Sequence, residues 1–473
     1  MTTAKNYSID MTKGNALRCI ITFAIPLIIT NVLQCLFNAV DMIVVGSFSS
    51  EPNAVGAIGS STAICSLLVN LFLGISMGAT VVIARYVGAK KDDDVSRSVH
   101  TSMALSVVLG VLVCILGILL GEPLLRLINT PDEIIGLSLV YVRWYLVGII
   151  FNSIFNFGSA CLKAIGDTKR PLMIMLIAGC INVCLNLFFV IVLGMSVDGV
   201  AIATVLSQVF SATYVVICLV KENGAIKLYI PKVRLHADVT KQILLIGLPN
   251  GIQSSLFSIS NIYIQSAINS LGASVINGNT AGMSIDGFVY TVMISFQHTG
   301  LTYVSQNVGV GDYARVKKSY YLLPLCSFVA GTVTSTLVYL LREPLLSLYL
   351  TDPVQIQAGV ERLTVICSTY FLCGVMDAFA GILRGAGYSI FPAVFNVIGV
   401  VGLRIVWIEL FFPIPTLQSL GGVLLSYPIT WVITIMALLV YLIFVARPKI
   451  IRTCEENRQS LIDRGLSLEN SNS

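Results

Sequence analysis

Charge is what this chain lacks: Asp, Glu, Lys and Arg make up 11% of its 473 residues, against about 25% in a soluble globular domain. With 56% hydrophobic residues and a mean hydropathy of +0.87, a soluble globule is excluded and a polytopic membrane protein is expected. No G-x-x-x-x-G-K-[ST] stretch occurs, so nothing is built to cradle ATP phosphates. Gly309-Val-Gly311-Asp-Tyr-Ala314 fits a dinucleotide fingerprint loosely, but it follows an apolar helix and not a strand. Only His100, His236 and His298 are present, without ligand spacing, and no hydrolase motif appears. The 12 Cys, among them Cys65, Cys114, Cys180, Cys184 and Cys373, include no CxxC pair and read as core thiols. No cleavable signal is expected, because the stretch before Leu17 is polar and the first apolar run is too long for an h-region. Catalysis, resident cofactors and protein-held metals therefore have no motif, and function must come from buried charges and movement.

What is present is a series of apolar segments, at about 17–45, 54–84, 99–120, 134–157, 170–193 and 197–220, then 240–270, 275–305, 319–341, 358–383, 391–412 and 421–446. Each exceeds or approaches the roughly 20 residues that cross a bilayer, so twelve transmembrane helices are expected in an all-α fold. On that threading 24 of the 29 Lys and Arg fall on one side, only Arg126 and Arg342 on the other, and Arg143, Arg362 and Arg404 within spans. The asymmetry predicts cytoplasmic termini. The basic loops read as solvated faces near anionic headgroups, not as a nucleic-acid site.

The chain is also duplicated. Glu122-Pro-Leu-Leu-Arg-Leu127 recurs as Glu343-Pro-Leu-Leu-Ser-Leu348, and the same offset carries Lys163 to Arg384, Gly166 to Gly387 and Pro171 to Pro392. Near the start of each half the offset is two positions longer, taking Pro26 to Pro249 and Asn38 to Asn261. Such matches in register predict two pseudo-symmetric six-helix lobes related by an axis along the membrane normal. The expected division is an N-lobe over 1–220, a cytoplasmic linker over 221–239, a C-lobe over 240–450 and a polar tail over 451–473, disordered at its end.

The first span organises the rest. Asn31, Gln34, Asn38 and Asp41 step by three, four and three positions, which places them on one helical face. Asn250, Gln253, Ser254, Ser258, Asn261 and Gln265 repeat the stripe on the seventh helix, without an acid. Two such stripes describe an aqueous substrate cleft with Gln34, Asn38, Asn261 and Gln265 in it. Pro26 and Pro249, early in these helices, are candidate hinges. Asp286 and Asp377 are further cleft candidates, or structural partners of Arg404. Asp41 has no cation of comparable depth in its lobe, only Asn182, Asn186 and Thr204 to surround it. Such a carboxyl can exchange a proton or hold a small cation, Na⁺ included.

The N-terminal Asp10-Met-Thr-Lys-Gly-Asn15, Ile25-Pro-Leu-Ile-Ile29 running on to Val40-Asp-Met-Ile-Val-Val-Gly46, Lys163-Ala-Ile-Gly-Asp-Thr-Lys-Arg-Pro171, Ser305-Gln-Asn-Val-Gly309 and Leu383-Arg-Gly-Ala-Gly387 are together similar to the MATE family of multidrug and toxin extrusion transporters, nearest its DinF-like branch. The resemblance covers about residues 9–450. It implies a V-shaped pair of six-helix bundles, working as a monomer in the cell membrane, that exports small organic cations in exchange for H⁺ or Na⁺. It also implies that Asp41 matches the coupling-ion acid, with Asn182, Asn186 and Thr204 as its polar surround. Two positions depart from the pattern: Asn186 stands where many relatives place a second acid, and Asp377 lies about one turn from the helix-10 acid of NorM-like members. A lipid-linked saccharide flippase of the same superfamily, or a membrane receptor or channel, is the alternative reading. Flippases usually carry fourteen spans and a cleft rich in Arg and Lys.

Overall fold

The computed structural model describes residues 8–48, 54–127 and 132–466. In the first half lie α1 (Ala16–Phe48), α2 (Ala54–Gly88), α3 (Asp92–Leu127), α4 (Asp132–Ala164), α5 (Lys169–Leu187), which continues as a π-helical stretch Phe188–Val192, and α6 (Val197–Val220). The second half holds α7 (Ala237–Asn269), α8 (Ala273–Val310), α9 (Tyr313–Leu340), the short α10 (Arg342–Ser347), α11 (Pro353–Gly385), α12 (Ile390–Asn396), α13 (Leu403–Leu410), α14 (Leu420–Leu424), α15 (Ser426–Tyr441) and α16 (Arg447–Asp463). No strand occurs among the described residues.

Among the described residues eleven stretches are long and apolar enough to span a membrane. The twelfth expected span is α8, whose 38 residues fall short on hydropathy. The cause is its buried polar side, which carries Asn279, Asp286, Gln297, Thr299, Thr302, Ser305, Gln306 and Asn307. Those groups are buried within the protein and do not face lipid; the Ser305 hydroxyl, for instance, donates to the Gly385 carbonyl on α11 at 2.8 Å.

Backbone geometry carries the duplication as well as sequence does. Gly166 and Gly387, which correspond in the repeat, both adopt positive φ, at 86° and 96°, in the turns before α5 and α12. That region is costly for any residue with a Cβ. At Gly166 a Cβ would also lie 2.0 Å from the Ile9 carbonyl oxygen.

Packing divides the chain into two units. One is Ile29–Gly251 together with Ile9; the other is Asp10–Ile28 together with the chain from Ile252 onward. This grouping differs from cuts at 220 and 240. The first part of α1 packs with the second unit, and the first part of α7 with the first. In the first unit α2, α3, α4 and α6 enclose cores around Ile83, Val99, Leu162 and Val215, and around Phe72, Val142 and Leu146. In the second, α8 packs along α11, with Ala281, Ile285, Leu363 and Cys367 in one buried cluster.

Residues 221–236 are docked and not a loose tether. The Tyr229 amide donates to His100 Nε2 on α3 at 3.0 Å, Thr101 meets His236 Nδ1 at 2.8 Å, and Arg97 pairs with Asp238 at 2.9 Å. Most of the expected polar tail is helical. Residues 447–463 form α16, because Ile450, Cys454 and Leu461 recur at helical spacing and are buried. Asn457 fastens it by donating to the Val308 carbonyl at 2.8 Å. The final residues, 467–473, expected to be disordered, lie outside the described residues.

Candidate functional site

Within the first unit, α1, α2, α4, α5 and α6 enclose a pocket of about 170 Å³. Three of the four residues of the polar stripe on α1 line it: Gln34, Asn38 and Asp41. The helical period brings them there together, and Phe37 shares the wall. Asn31, a turn earlier, is not among the lining residues.

Asp41 sits at one end of a chain of polar groups. Asn186 Nδ2 donates to Asp41 Oδ1 at 2.5 Å and to Asn182 Oδ1 at 3.3 Å. Asn182 Nδ2 in turn lies 3.4 Å from Thr204 Oγ1, and the Thr204 hydroxyl donates to the Val200 carbonyl at 2.9 Å. The four residues expected at a coupling-ion site are thus brought together by α1, α5 and α6. Asn182 and Asn186 are one turn apart on α5, which lets a single helix present both amides. Asn186 Oδ1 is buried without a hydrogen-bond partner. Among the described residues no Lys, Arg or His comes within ion-pair distance of Asp41, and no group of three or more His, Cys, Asp or Glu is placed to hold a metal ion.

Several pocket residues were not expected from sequence. Tyr141 and Tyr145 stack at 6.0 Å between centroids, tilted by 22°, and both line the pocket with Asn152, Asn156, Ser207, Gln208 and Ser211. Asn156 Nδ2 donates to Asn152 Oδ1 at 2.8 Å. A signal was available. Asn152 and Asn156, and Ser207 and Ser211, are polar pairs four apart on otherwise apolar helices, the same pattern that marks α1. The pocket thus combines one carboxyl, a ring of amides and hydroxyls, and aromatic faces. That combination can hold an organic cation by charge, hydrogen bonding and stacking.

The remaining expected residues lie in the second unit, apart from Pro249 on α7. Asp286 is bound to Arg362, whose Nε and Nη2 reach Asp286 Oδ2 at 2.9 and 2.8 Å while Nη1 donates to Asn279 Oδ1 at 2.8 Å. Arg404 is therefore not the partner of Asp286. Its guanidinium lies over the Tyr427 ring at 3.8 Å and near Trp431 at 6.0 Å. The aromatic faces satisfy it where an acid was expected to. Gln265 accepts from Asn279 at 3.3 Å and donates to Asn269 at 2.9 Å, and Asn261 is exposed. Asp377 makes no ion pair with Arg404. Its Oδ2 is buried and unpartnered, and Arg384 is the charged group that acts on it. Arg384 donates to Gln253 Oε1 at 2.6 Å. Pro26 and Pro249 lie inside α1 and α7, just before the points where each helix passes from one unit to the other.

Comparison with known proteins gives a consistent result. Residues 26–188 and 249–408 match the MatE family. A probable multidrug resistance protein, YpnP of Bacillus subtilis (strain 168), is 27% identical over 402 residues, spanning 85% of this chain and 90% of that protein. A probable multidrug resistance protein NorM of Thermotoga maritima is 26% identical over 391 residues, 80% of this chain and 82% of that one. Among solved structures, an outward-facing multidrug resistance MATE family transporter of the MOP superfamily superposes with a TM-score of 0.86 at 21% identity, covering 96% of this chain and all of that one.

Proposed function

The chain belongs to the MatE family of membrane transporters, and from that premise we propose that it exports cationic amphiphilic drugs or metabolites in exchange for H⁺ or Na⁺. It is a transporter and not an enzyme. The single observation that carries the coupling role is Asp41, held by Asn186 at 2.5 Å in a pocket without a counter-cation among the described residues. A carboxyl so placed serves proton and cargo in turn. Ionised, it supplies the charge that retains an organic cation; protonated, it supplies none. Asn186 donates to the carboxylate and keeps its own Oδ1 unpartnered beside it, so the cluster offers a titratable carboxyl for H⁺ and oxygen lone pairs for Na⁺.

At about 170 Å³ the pocket is smaller than the roughly 300 Å³ and upward of drug-sized sites. It would take a ring or ammonium group, stacked on Tyr141 and Tyr145, and not a whole drug. The cycle would run by alternating access, with cytoplasmic termini as the Lys and Arg distribution predicts. One charge moved across 100 mV carries about 2.3 kcal/mol, enough to bias such a cycle.

The test uses inverted membrane vesicles and ethidium as a fluorescent organic cation, driven by a pH gradient alone or a Na⁺ gradient alone. Wild type should accumulate ethidium under one of them. Asp41→Asn is nearly isosteric, cannot ionise, and should abolish gradient-driven accumulation with normal expression. Accumulation by Asp41→Asn at the wild-type rate would remove Asp41 from the coupling.

A further inference from the structure

One motif of the N-terminus has no part in the pocket. Met11-Thr-Lys-Gly14 precedes α1 as a short turn, and in the second unit it is gripped by Arg315 of α9. Arg315 is 6% exposed, unlike the solvated basic residues expected on that side. Its Nη1 donates to the Gly14 carbonyl at 2.7 Å, and its Nη2 to those of Met11 and Lys13 at 2.9 and 3.2 Å. Nε is held by Asn307 Oδ1 at 3.0 Å, and Asn307 Nδ2 itself donates to the Met11 carbonyl at 3.1 Å. Gln306 Oε1 accepts from the Met11 amide at 3.1 Å, and the Met11 side chain is fully buried.

No carboxylate of the described residues lies within ion-pair distance of this guanidinium. Its hydrogen bonds to backbone carbonyls are what make the buried charge tolerable. Sliding the segment away would strip three of them at once. The start of α1 is therefore fastened to the second unit, whereas residues 29–48, which carry Asp41, pack in the first.

We propose that Arg315 is a positioning residue of the transport cycle: it clamps residues 11–14 so that α1 has one fixed end, and movements of α1 during transport fall beyond Ile28. This rests on the reading of the chain as an antiporter working through Asp41. A planar fork suits three converging carbonyls, and a lysine ammonium reaches fewer of them.

The test compares full-length wild type, Arg315→Ala, Arg315→Lys and Asn307→Ala, each reconstituted into liposomes. Hydrogen exchange of the amides of residues 11–16 reads the clamp itself. Arg315→Ala should raise it roughly a hundredfold, as local opening would, with Asn307→Ala and Arg315→Lys in between. Gradient-driven ethidium turnover should fall about tenfold in Arg315→Ala with ethidium affinity unchanged, a loss confined to the cycle and not to binding. A merely structural arginine would lower the yield of folded protein or both parameters together. The inference is overturned if residues 11–16 stay protected in Arg315→Ala, or if they are released while turnover stays at the wild-type value. Because the exchange measurement needs no transport, a failure of the antiport reading is visible separately from a failure of the clamp.

Discussion

Replacing Asp286 by Asn separates a cargo-binding acid from a structural one. Arg362 spends three N–H bonds on this neighbourhood, two to Asp286 Oδ2 and one to Asn279 Oδ1. The two charged side chains are only 5% and 6% exposed. Removing the negative charge leaves a buried guanidinium unneutralised, a loss of about 3–5 kcal/mol for a broken buried pair. Asn keeps one acceptor, so the lower end, about 3 kcal/mol, applies. For a unit of about 240 residues each kcal/mol moves the melting midpoint by about 2–4 °C, giving a drop of roughly 6–12 °C. Thermal unfolding of the detergent-solubilised protein, followed by fluorescence-detected gel filtration, reads it directly. Adding Arg362→Met in the same chain should recover most of the loss, because an apolar replacement removes the stranded charge. Ethidium affinity should be unchanged. A variant of wild-type stability whose ethidium affinity has collapsed would refute this reasoning and return Asp286 to the cargo.

Two further perturbations test the pocket and the linker. A Cβ at Gly179 would lie 1.8 Å from Phe37 Cε2, so Gly179→Ala should push the ring into the pocket and weaken ethidium binding by about tenfold, the equivalent of roughly 1.4 kcal/mol of overpacking; unchanged affinity would place ethidium elsewhere. His236 accepts from Arg234 Nε at 3.0 Å, and partial burial, with Arg234 and Arg97 nearby, lowers its pKa below the ordinary 6.5. A histidine neutral in the docked state supports docking fully above pH 6.5 and progressively less as pH falls below it. Hydrogen-exchange protection of residues 227–236, corrected for intrinsic rates, should therefore decline from pH 7.5 to 5.5, and by less in His236→Gln. A pH-independent profile in the wild type would count against it.

The Asp41 cluster was legible because polar residues in an apolar span cost free energy, so their helical spacing marks a shared face. Asn182, Asn186 and Thr204 stood out for the same reason. The partner of Asp286 was not legible, although Arg362 was counted among the in-span arginines. Its separation of 76 residues is set by how α8 packs on α11, which no local pattern encodes. Arg404 was misread for a related cause. A guanidinium over Tyr427 and Trp431 looks in sequence like a cation in want of an acid. The helix at 447–463 was visible in the spacing of Ile450, Cys454 and Leu461, but the surrounding polarity masked it.

The division of α1 and α7 has a consequence for the chain's architecture as a whole. The points of passage, after Ile28 and after Gly251, are related by the same offset that takes Pro26 to Pro249, the register of the repeat in these two helices. Each half of the sequence therefore lends its opening arm to the other, the reciprocal exchange seen when two copies of a domain swap the same element. Severing the chain in the 221–236 connection would give two fragments, each missing a helical segment that completes its core and each carrying one with no core to enter. Neither fragment is expected to fold alone, and co-expression of the two is expected to restore the fold.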